Sequence, residues 1–130
     1  MFQINPISRL PVYEQIIEQV ERYVFSGILK EGDQLPSVRS LSVELSVNPN
    51  TIQKAYGELD SKGIICNVQG RGSFVTQEAN EIVKEKRLGN NGEFRKMVRE
   101  FKASGIKCEE LIEILKSEYR NKSEMKGELQ

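Results

Sequence analysis

The chain has 130 residues and carries 19 Lys and Arg against 19 Asp and Glu, so its formal net charge is zero. Its 38% apolar and 29% charged residues are typical of a globular protein and exclude a disordered chain. The zero net charge excludes a uniformly basic nucleic-acid binder. The sequence contains no histidine, the commonest general base and metal ligand, so we expect no enzyme, no cofactor and no metal site.

Three helices are predicted in the first half of the chain. Pro11 suits the opening turn of the first helix, and Ser37 is a good N-cap for the second. Asn48 followed by Pro49 is the clearest start signal, because Asn caps a helix and Pro fits its first position. The helices are expected over about 11–26, from Val38 to near Ser46, and from Pro49 to about Lys62.

The third helix has two distinct faces, each with the i, i+3, i+4, i+7 spacing of one side of a helix. The stripe expected to be buried contains Ile52, Ala55, Tyr56 and Leu59. The opposite face is small and polar, and it contains Asn50, Gln53, Lys54 and Gly57. Such a face is often simply solvated, but Asn and Gln can both donate and accept hydrogen bonds at base edges in the major groove.

A short hairpin follows the third helix. Residues 64–68 and 73–76 are predicted strands, joined by a turn with Arg71 at its tip. Only about three residues, 46–48, separate the second helix from the third. This order is that of a winged helix-turn-helix, in which the third helix reads DNA. A winged-helix module that binds another protein instead would present an apolar outer face on that helix.

A particular family is indicated by residues 35–63, LPSVRSLSVELSVNPNTIQKAYGELDSKG, and 70–76, GRGSFVT. They resemble the winged helix-turn-helix domain of the GntR family of bacterial transcription regulators. The preceding PVYEQIIEQVERYVFSGILKEGDQLPS is similar to that family's first helix and the loop after it. The resemblance covers about residues 8–76, which we interpret as a DNA-binding domain.

The number of residues after the predicted DNA-binding domain indicates which branch of the family the chain resembles. Only 54 residues follow Thr76, too few for the large effector domains of most of the family. The chain therefore resembles the short-tailed YtrA-type branch, in which a small helical tail mainly dimerises. The expected fold is mostly α with a small β-hairpin: a winged helix-turn-helix head and a short helical C-terminal dimerisation tail.

The resemblance also implies individual roles. Ser37 would cap the second helix and contact phosphate, and Arg39 would contact the DNA backbone or a base edge. Lys54 can add a phosphate contact. The reading end of the third helix would be Asn48, Asn50, Thr51, Gln53 and Lys54, and the wing would place Gly70, Arg71 and Gly72 in or beside the minor groove.

Three residues depart from the family's pattern. Pro49 stands where some members have an arginine, so a base contact from that position is lost. Ser42 stands at a position where the family usually has a small apolar residue. Gly57 lies inside the third helix, where Gly costs up to about 1 kcal/mol relative to Ala. The missing side chain at Gly57 allows close approach of DNA or of a neighbouring helix.

The tail is predicted to be helical over 77–121, with a frayed polar end over 122–130. A first helix over 79–88 is followed by a break at Gly89–Gly92. Two apolar stripes follow, and because two short helices bury little surface alone, we expect them to form a homodimer. The stripes are Phe94, Met97, Val98 and Phe101, and then Leu111, Ile112, Leu115 and Tyr119.

The charge of the predicted DNA-binding domain is slightly negative. Residues 1–78 carry seven basic and nine acidic side chains, a net of −2, so positive charge for DNA must be placed locally. A dimeric repressor acting on a palindromic operator is expected, with either a small ligand in the tail or no ligand.

The N-terminus lacks the pattern of a signal peptide and no apolar run is long enough to span a membrane, which predicts a cytoplasmic protein. Cys66 and Cys108 match neither a zinc pattern nor a disulfide framework.

Overall fold

The structure, a computed structural model, describes residues 2–121; the predicted frayed end lies outside them. The predicted fold class is confirmed, because six helices and one antiparallel hairpin follow each other in the expected order. The chain divides into two compact units, Met1–Lys84 and Glu85–Gln130. The elements are α1 (Val12–Phe25), α2 (Val38–Leu45), α3 (Pro49–Ser61), β1 (Ile65–Val68), β2 (Gly72–Val75), α4 (Ala79–Leu88), α5 (Glu93–Ala103) and α6 (Cys108–Arg120).

The core of the first unit lies between α1, α2, α3 and the hairpin. Ile16 and Val20 of α1, Leu41 of α2 and Ile52 and Leu59 of α3 are all fully buried. Burying an aliphatic side chain of this size contributes about 1.5–3 kcal/mol, so this cluster supplies much of the free energy that holds the three helices together. The buried stripe predicted for α3 is confirmed in full.

Residues on both sides of the 8–76 span also belong to this core. Phe2 is buried and packs edge-on against Tyr23 of α1, with ring centroids 5.6 Å apart. Asn5 N–H donates to the side-chain oxygen of Gln15 at 2.8 Å, which holds the N-terminal segment on α1. Ala79 and Val83 of α4 are buried as well. The folded unit is therefore larger than the segment that resembles the family.

The turn between α2 and α3 is closed by the buried side chain of Ser42. Its hydroxyl donates to the carbonyl oxygen of Val47 at 2.6 Å, and Val47 N–H donates back to the Ser42 carbonyl at 3.1 Å. Ser46, between them, has φ 54°, the left-handed conformation that reverses the chain after α2. The polar residue at position 42 therefore fixes the angle at which α3 leaves α2.

Replacing Ser42 with alanine is expected to lower the free energy of unfolding by about 1 kcal/mol, the net value of one hydrogen bond in a protein. Urea unfolding followed by circular dichroism measures the change. Ser40→Ala is the matched control, because Ser40 is exposed on the same helix. An equal effect of the two variants would mean that helix propensity, and not the bond to Val47, determines the result.

The hairpin gains a third short partner that the sequence did not indicate. β1 and β2 pair antiparallel, with Ile65 opposite Val75 and Val68 opposite Gly72. In addition, Leu35 N–H donates to the Ser73 carbonyl and Val75 N–H donates to the Asp33 carbonyl, each at 2.8 Å. The residues that lead into α2 therefore form an edge of the same sheet.

The second unit is built around the predicted break. The turn closes where Gly92 N–H donates to the Gly89 carbonyl at 2.8 Å. Two arginines of α5 reach back to this region: Arg95 donates to the Leu88 carbonyl at 3.0 Å, and Arg99 to the Asn90 carbonyl at 3.1 Å. Neither α5 nor α6 contains a buried residue. Within the described residues, the apolar stripes of both helices therefore stay half-buried or exposed.

Candidate nucleic-acid interface

Both helices of the helix-turn-helix begin with a side-chain cap, as predicted. The Ser37 hydroxyl accepts from Ser40 N–H at 3.0 Å, and the Asn48 side-chain oxygen accepts from Asn50 N–H at 2.8 Å. Pro49 occupies the first turn of α3. The side-chain oxygens of Ser37 and Asn48 thus orient the two helix starts, and both residues remain exposed.

The outer face of α3 presents polar side chains to solvent. Asn50 and Gln53 are exposed and Thr51 is half-buried. Both exposed residues carry a side-chain amide, which offers a donor and an acceptor together, as base-edge recognition in the major groove requires. The outer face is not apolar, which disfavours a protein-docking role for it.

Lys54, the cation of this face, is held by an aromatic ring. Its Nζ lies 3.8 Å from the centroid of the Tyr13 ring on α1. The Tyr13 hydroxyl donates to Glu14 at 3.1 Å, and this bond together with the Glu14 charge raises the pKa of Tyr13. A lysine held over an aromatic ring in this way loses rotational freedom, so the direction of its side chain is restricted. Tyr13 has the same helical spacing as the apolar residues Ile16 and Val20 of α1, and this spacing gives no sign of the contact with Lys54.

Tyr56 connects the buried side of α3 to the residues before α2. Its hydroxyl donates to the Pro36 carbonyl oxygen at 2.7 Å, and burial raises the pKa of this phenol. At the C-terminal end of α3, Lys62 Nζ lies 3.9 Å from a carboxylate oxygen of buried Glu21 on α1. These two contacts attach the middle and the C-terminal end of α3 to the rest of the unit.

The tip of the hairpin carries the exposed cation Arg71 between two glycines with positive φ, Gly70 at 78° and Gly72 at 123°. Strand β1 of the hairpin is tied to α3, since Asn67 N–H donates to the Asp60 carboxylate at 2.9 Å. Ser73 then donates to the Asn67 side-chain oxygen at 2.5 Å. Sequence reasoning found Arg71 but missed Asn67, whose role depends on contacts seven residues away in α3.

A groove of about 690 Å³ separates α3 from the hairpin. Gln53 and Gly57 line it on the α3 side, and Asn67 and Arg71 on the hairpin side. A Cβ added to Gly57 would meet nothing within 4 Å, so the absent side chain leaves the α3 wall of the groove open. This groove is the concave part of the surface that α3 and the hairpin form together.

Each of α2, α3 and the hairpin carries one positively charged side chain. Arg39 is the cation of α2, Lys54 that of α3 and Arg71 that of the hairpin, and all three are exposed. Since the first 78 residues have a net charge of −2, an anionic ligand of this surface would have to be met by such individually placed cations. The structure therefore brings polar amides, a groove and separated cations to neighbouring elements.

Among residues 2–121, no group of three or more His, Cys, Asp or Glu side chains could hold a metal ion. Within the same residues, no helix is long and apolar enough to cross a bilayer. Cys66 and Cys108 are both free and exposed.

Comparisons with known proteins identify relatives of this arrangement. The family described as "Bacterial regulatory proteins, gntR family" matches residues 12–75. The HTH-type transcriptional repressor YtrA of Bacillus subtilis (strain 168) is 39% identical over 117 residues, which cover 89% of this chain and 90% of that protein. A GntR family transcriptional regulator from Listeria monocytogenes has a solved structure with TM-score 0.72 and 31% identity, covering 88% of this chain and 98% of that one.

A further solved structure contains DNA. The DNA-binding domain of AraR in complex with operator ORX1 has TM-score 0.51 and 35% identity to this chain. The match covers 58% of this chain and 93% of that one. A solved structure with an operator bound is thus similar to more than half of this chain.

Proposed function

Because this chain belongs to the gntR family of bacterial regulatory proteins and is a DNA-binding transcription regulator, we propose that it acts as a homodimeric repressor on a roughly palindromic operator. The observation that carries the proposal is the polar outer face of α3 beside the groove and the Arg71 tip. The similarity to a named repressor over most of both chains supports the sign of regulation. A regulator whose ligand is chromosomal DNA acts in the cytoplasm of a bacterium.

The division of labour between the residues follows from their chemistry. Side-chain amides on α3 read bases, because each can form a bidentate contact that one base edge alone satisfies. Cations and backbone N–H groups contact phosphate, which fixes the register without reading sequence. The proposed DNA contacts are Ser37, Arg39, Asn48, Asn50, Thr51, Gln53, Lys54, Gly70, Arg71 and Gly72.

The second unit is proposed to supply the dimer interface. Met97 of α5 and Ile112 of α6 are apolar but about half exposed, at 49% and 43%. Two helices of 11 and 13 residues with no buried side chain leave an apolar surface that a second copy of the chain would cover. The proposed interface residues are Phe94, Met97, Val98, Phe101, Leu111, Ile112, Leu115 and Tyr119.

Selection of binding sites from a random pool of duplex DNA tests this function. We expect an enriched inverted repeat, with half-sites about one helical turn, or 34–36 Å, apart. Titration of the selected site at two salt concentrations then counts the phosphate contacts, since the logarithm of affinity falls linearly with the logarithm of salt concentration. Weak binding with no enriched sequence would contradict the proposal.

Two alanine substitutions separate base reading from phosphate contact. Gln53→Ala should cost roughly 1–3 kcal/mol on the selected site and little on unrelated DNA, because a base contact acts only on the right base. Arg39→Ala should weaken binding on all sequences and reduce the salt slope by about one. Titrations of both variants on both DNAs measure this difference. A uniform loss for Gln53→Ala would show that Gln53 does not read bases.

A further inference from the structure

Gln34 lies in the segment that forms the edge of the hairpin sheet. The backbone groups of its neighbours Asp33 and Leu35 bond to β2, and Gln34 itself forms a bridge with Phe74. This pairing directs its side chain along the hairpin to the tip, where Nε2 donates to the Arg71 carbonyl oxygen at 3.0 Å. The bond joins residues 37 positions apart in the chain.

The side chain of Gln34 also lies directly against Gly72. A Cβ placed on Gly72 would be 2.5 Å from Nε2 and 3.5 Å from Cδ of Gln34. Gly72 therefore provides both the positive φ of the turn and the space in which Gln34 lies. The Gln34 side chain therefore packs against Gly72 and bonds to the backbone carbonyl of Arg71, so it acts on the backbone that carries the Arg71 guanidinium.

This contact differs from the bonds that hold the strands of the hairpin. β1 is bonded to α3 through Asn67, and β2 is bonded to the segment before α2, so both strands are fixed on the unit. At the tip itself, the bond from Arg71 N–H to the Val68 carbonyl, at 3.0 Å, closes the turn but stays within the hairpin. Gln34, by contrast, is three residues before the N-cap Ser37 of α2. Its bond to Arg71 thus ties the tip to the helix-turn-helix.

We propose that Gln34 is a positioning residue, which holds the tip so that the Arg71 guanidinium meets the DNA backbone or minor groove while α3 occupies the major groove. The inference rests on the proposed contact between Arg71 and DNA. Ordering the tip before binding removes a conformational cost that the complex would otherwise include. Gln34 acts through Arg71 and need not touch DNA.

A double-mutant cycle on the full chain tests the proposal. Gln34→Leu keeps the approximate size of the side chain and removes the donor, and Arg71→Ala removes the cation. We expect Gln34→Leu to weaken binding to the selected operator about fivefold, the scale of one side chain's ordering cost. In the Arg71→Ala background the same change should weaken binding by less than about twofold, since coupled residues are non-additive. Gln77→Leu is the matched control, because Gln77 is exposed and lies beyond β2.

A measurement on the free protein separates this proposal from the proposed function. The NMR order parameter of the Arg71 amide should fall in Gln34→Leu and stay unchanged in Gln77→Leu. An unchanged order parameter, or an equal loss of affinity in both Arg71 backgrounds, would overturn the positioning role. A lowered order parameter with unchanged affinity in Gln34→Leu would also overturn the positioning role, because the order of the tip would then not contribute to binding. Unchanged affinity in Arg71→Ala alone would instead contradict the proposed contact of Arg71 with DNA.

Discussion

Replacing Met97 with glutamate is expected to convert the protein to a monomer at micromolar concentration and to weaken operator binding by about a hundredfold or more. Met97 is half exposed in the protomer, so a carboxylate there stays hydrated and the protomer still folds. In the dimer the same carboxylate would be buried without a partner, which is strongly unfavourable. Loss of the dimer removes the second binding event, whose linkage contributes roughly 10²–10⁴ in affinity.

Sedimentation and operator titration of the same samples measure both effects. The neighbouring Lys96→Glu variant is the control, because Lys96 lies on the opposite side of α5 from the apolar stripe at helical spacing. It introduces a larger change of charge, and we expect it to remain dimeric. If Met97→Glu also stays dimeric, the interface does not include the α5 stripe.

Substitutions at Gly57 are expected to change stability and DNA affinity in opposite directions. Alanine or leucine should raise the free energy of unfolding by up to about 1 kcal/mol, because Gly is a poor helix former and a Cβ there meets no neighbour. The same side chains enter the groove between α3 and the hairpin. If a DNA strand occupies that groove, Gly57→Ala weakens binding slightly and Gly57→Leu weakens it at least about tenfold, since the steric overlap grows with side-chain size.

Thermal unfolding measures the change in stability, and operator titration independently measures the change in DNA affinity. Ser61→Leu is the control, since Ser61 is exposed at the last position of α3 and does not line the groove. Gly57→Leu binding the operator as tightly as the wild type would mean that DNA does not enter this groove. A fall in stability would mean that Gly57 is required by the protein's own packing.

The features predicted best from the sequence are those with local causes. Ser37 and Asn48 cap the helices as expected, because capping involves residues only two or three positions apart. The α3 stripe is buried as its spacing indicated. The fold class and the family resemblance were also correct. The DNA contacts and the dimer interface remain predictions, which the experiments above test.

The features that the sequence did not indicate depend on distant contacts. The pairing of residues 33–35 with β2 is made by backbone groups, which leave no pattern in the side chains. Tyr13 fits the apolar spacing of α1, yet its ring supports Lys54 of α3. Phe2 lies before the segment that resembles the family, although it is part of the core. Each of these depends on which surfaces meet after folding, and no short window of sequence contains that information.

The third partner of the hairpin sheet also links the hairpin to the packing of the helices. The β1–β2 hairpin closes a short loop, whereas the bond from Val75 N–H to the Asp33 carbonyl joins residues 42 positions apart. Closing so long a loop costs entropy, and the packing of α1 against α3 across a similar length of chain offsets that cost. The position of the segment that carries Gln34 therefore depends on helix packing. A substitution that loosens α1 from α3 would loosen the Arg71 tip as well, although it changes no residue of the hairpin.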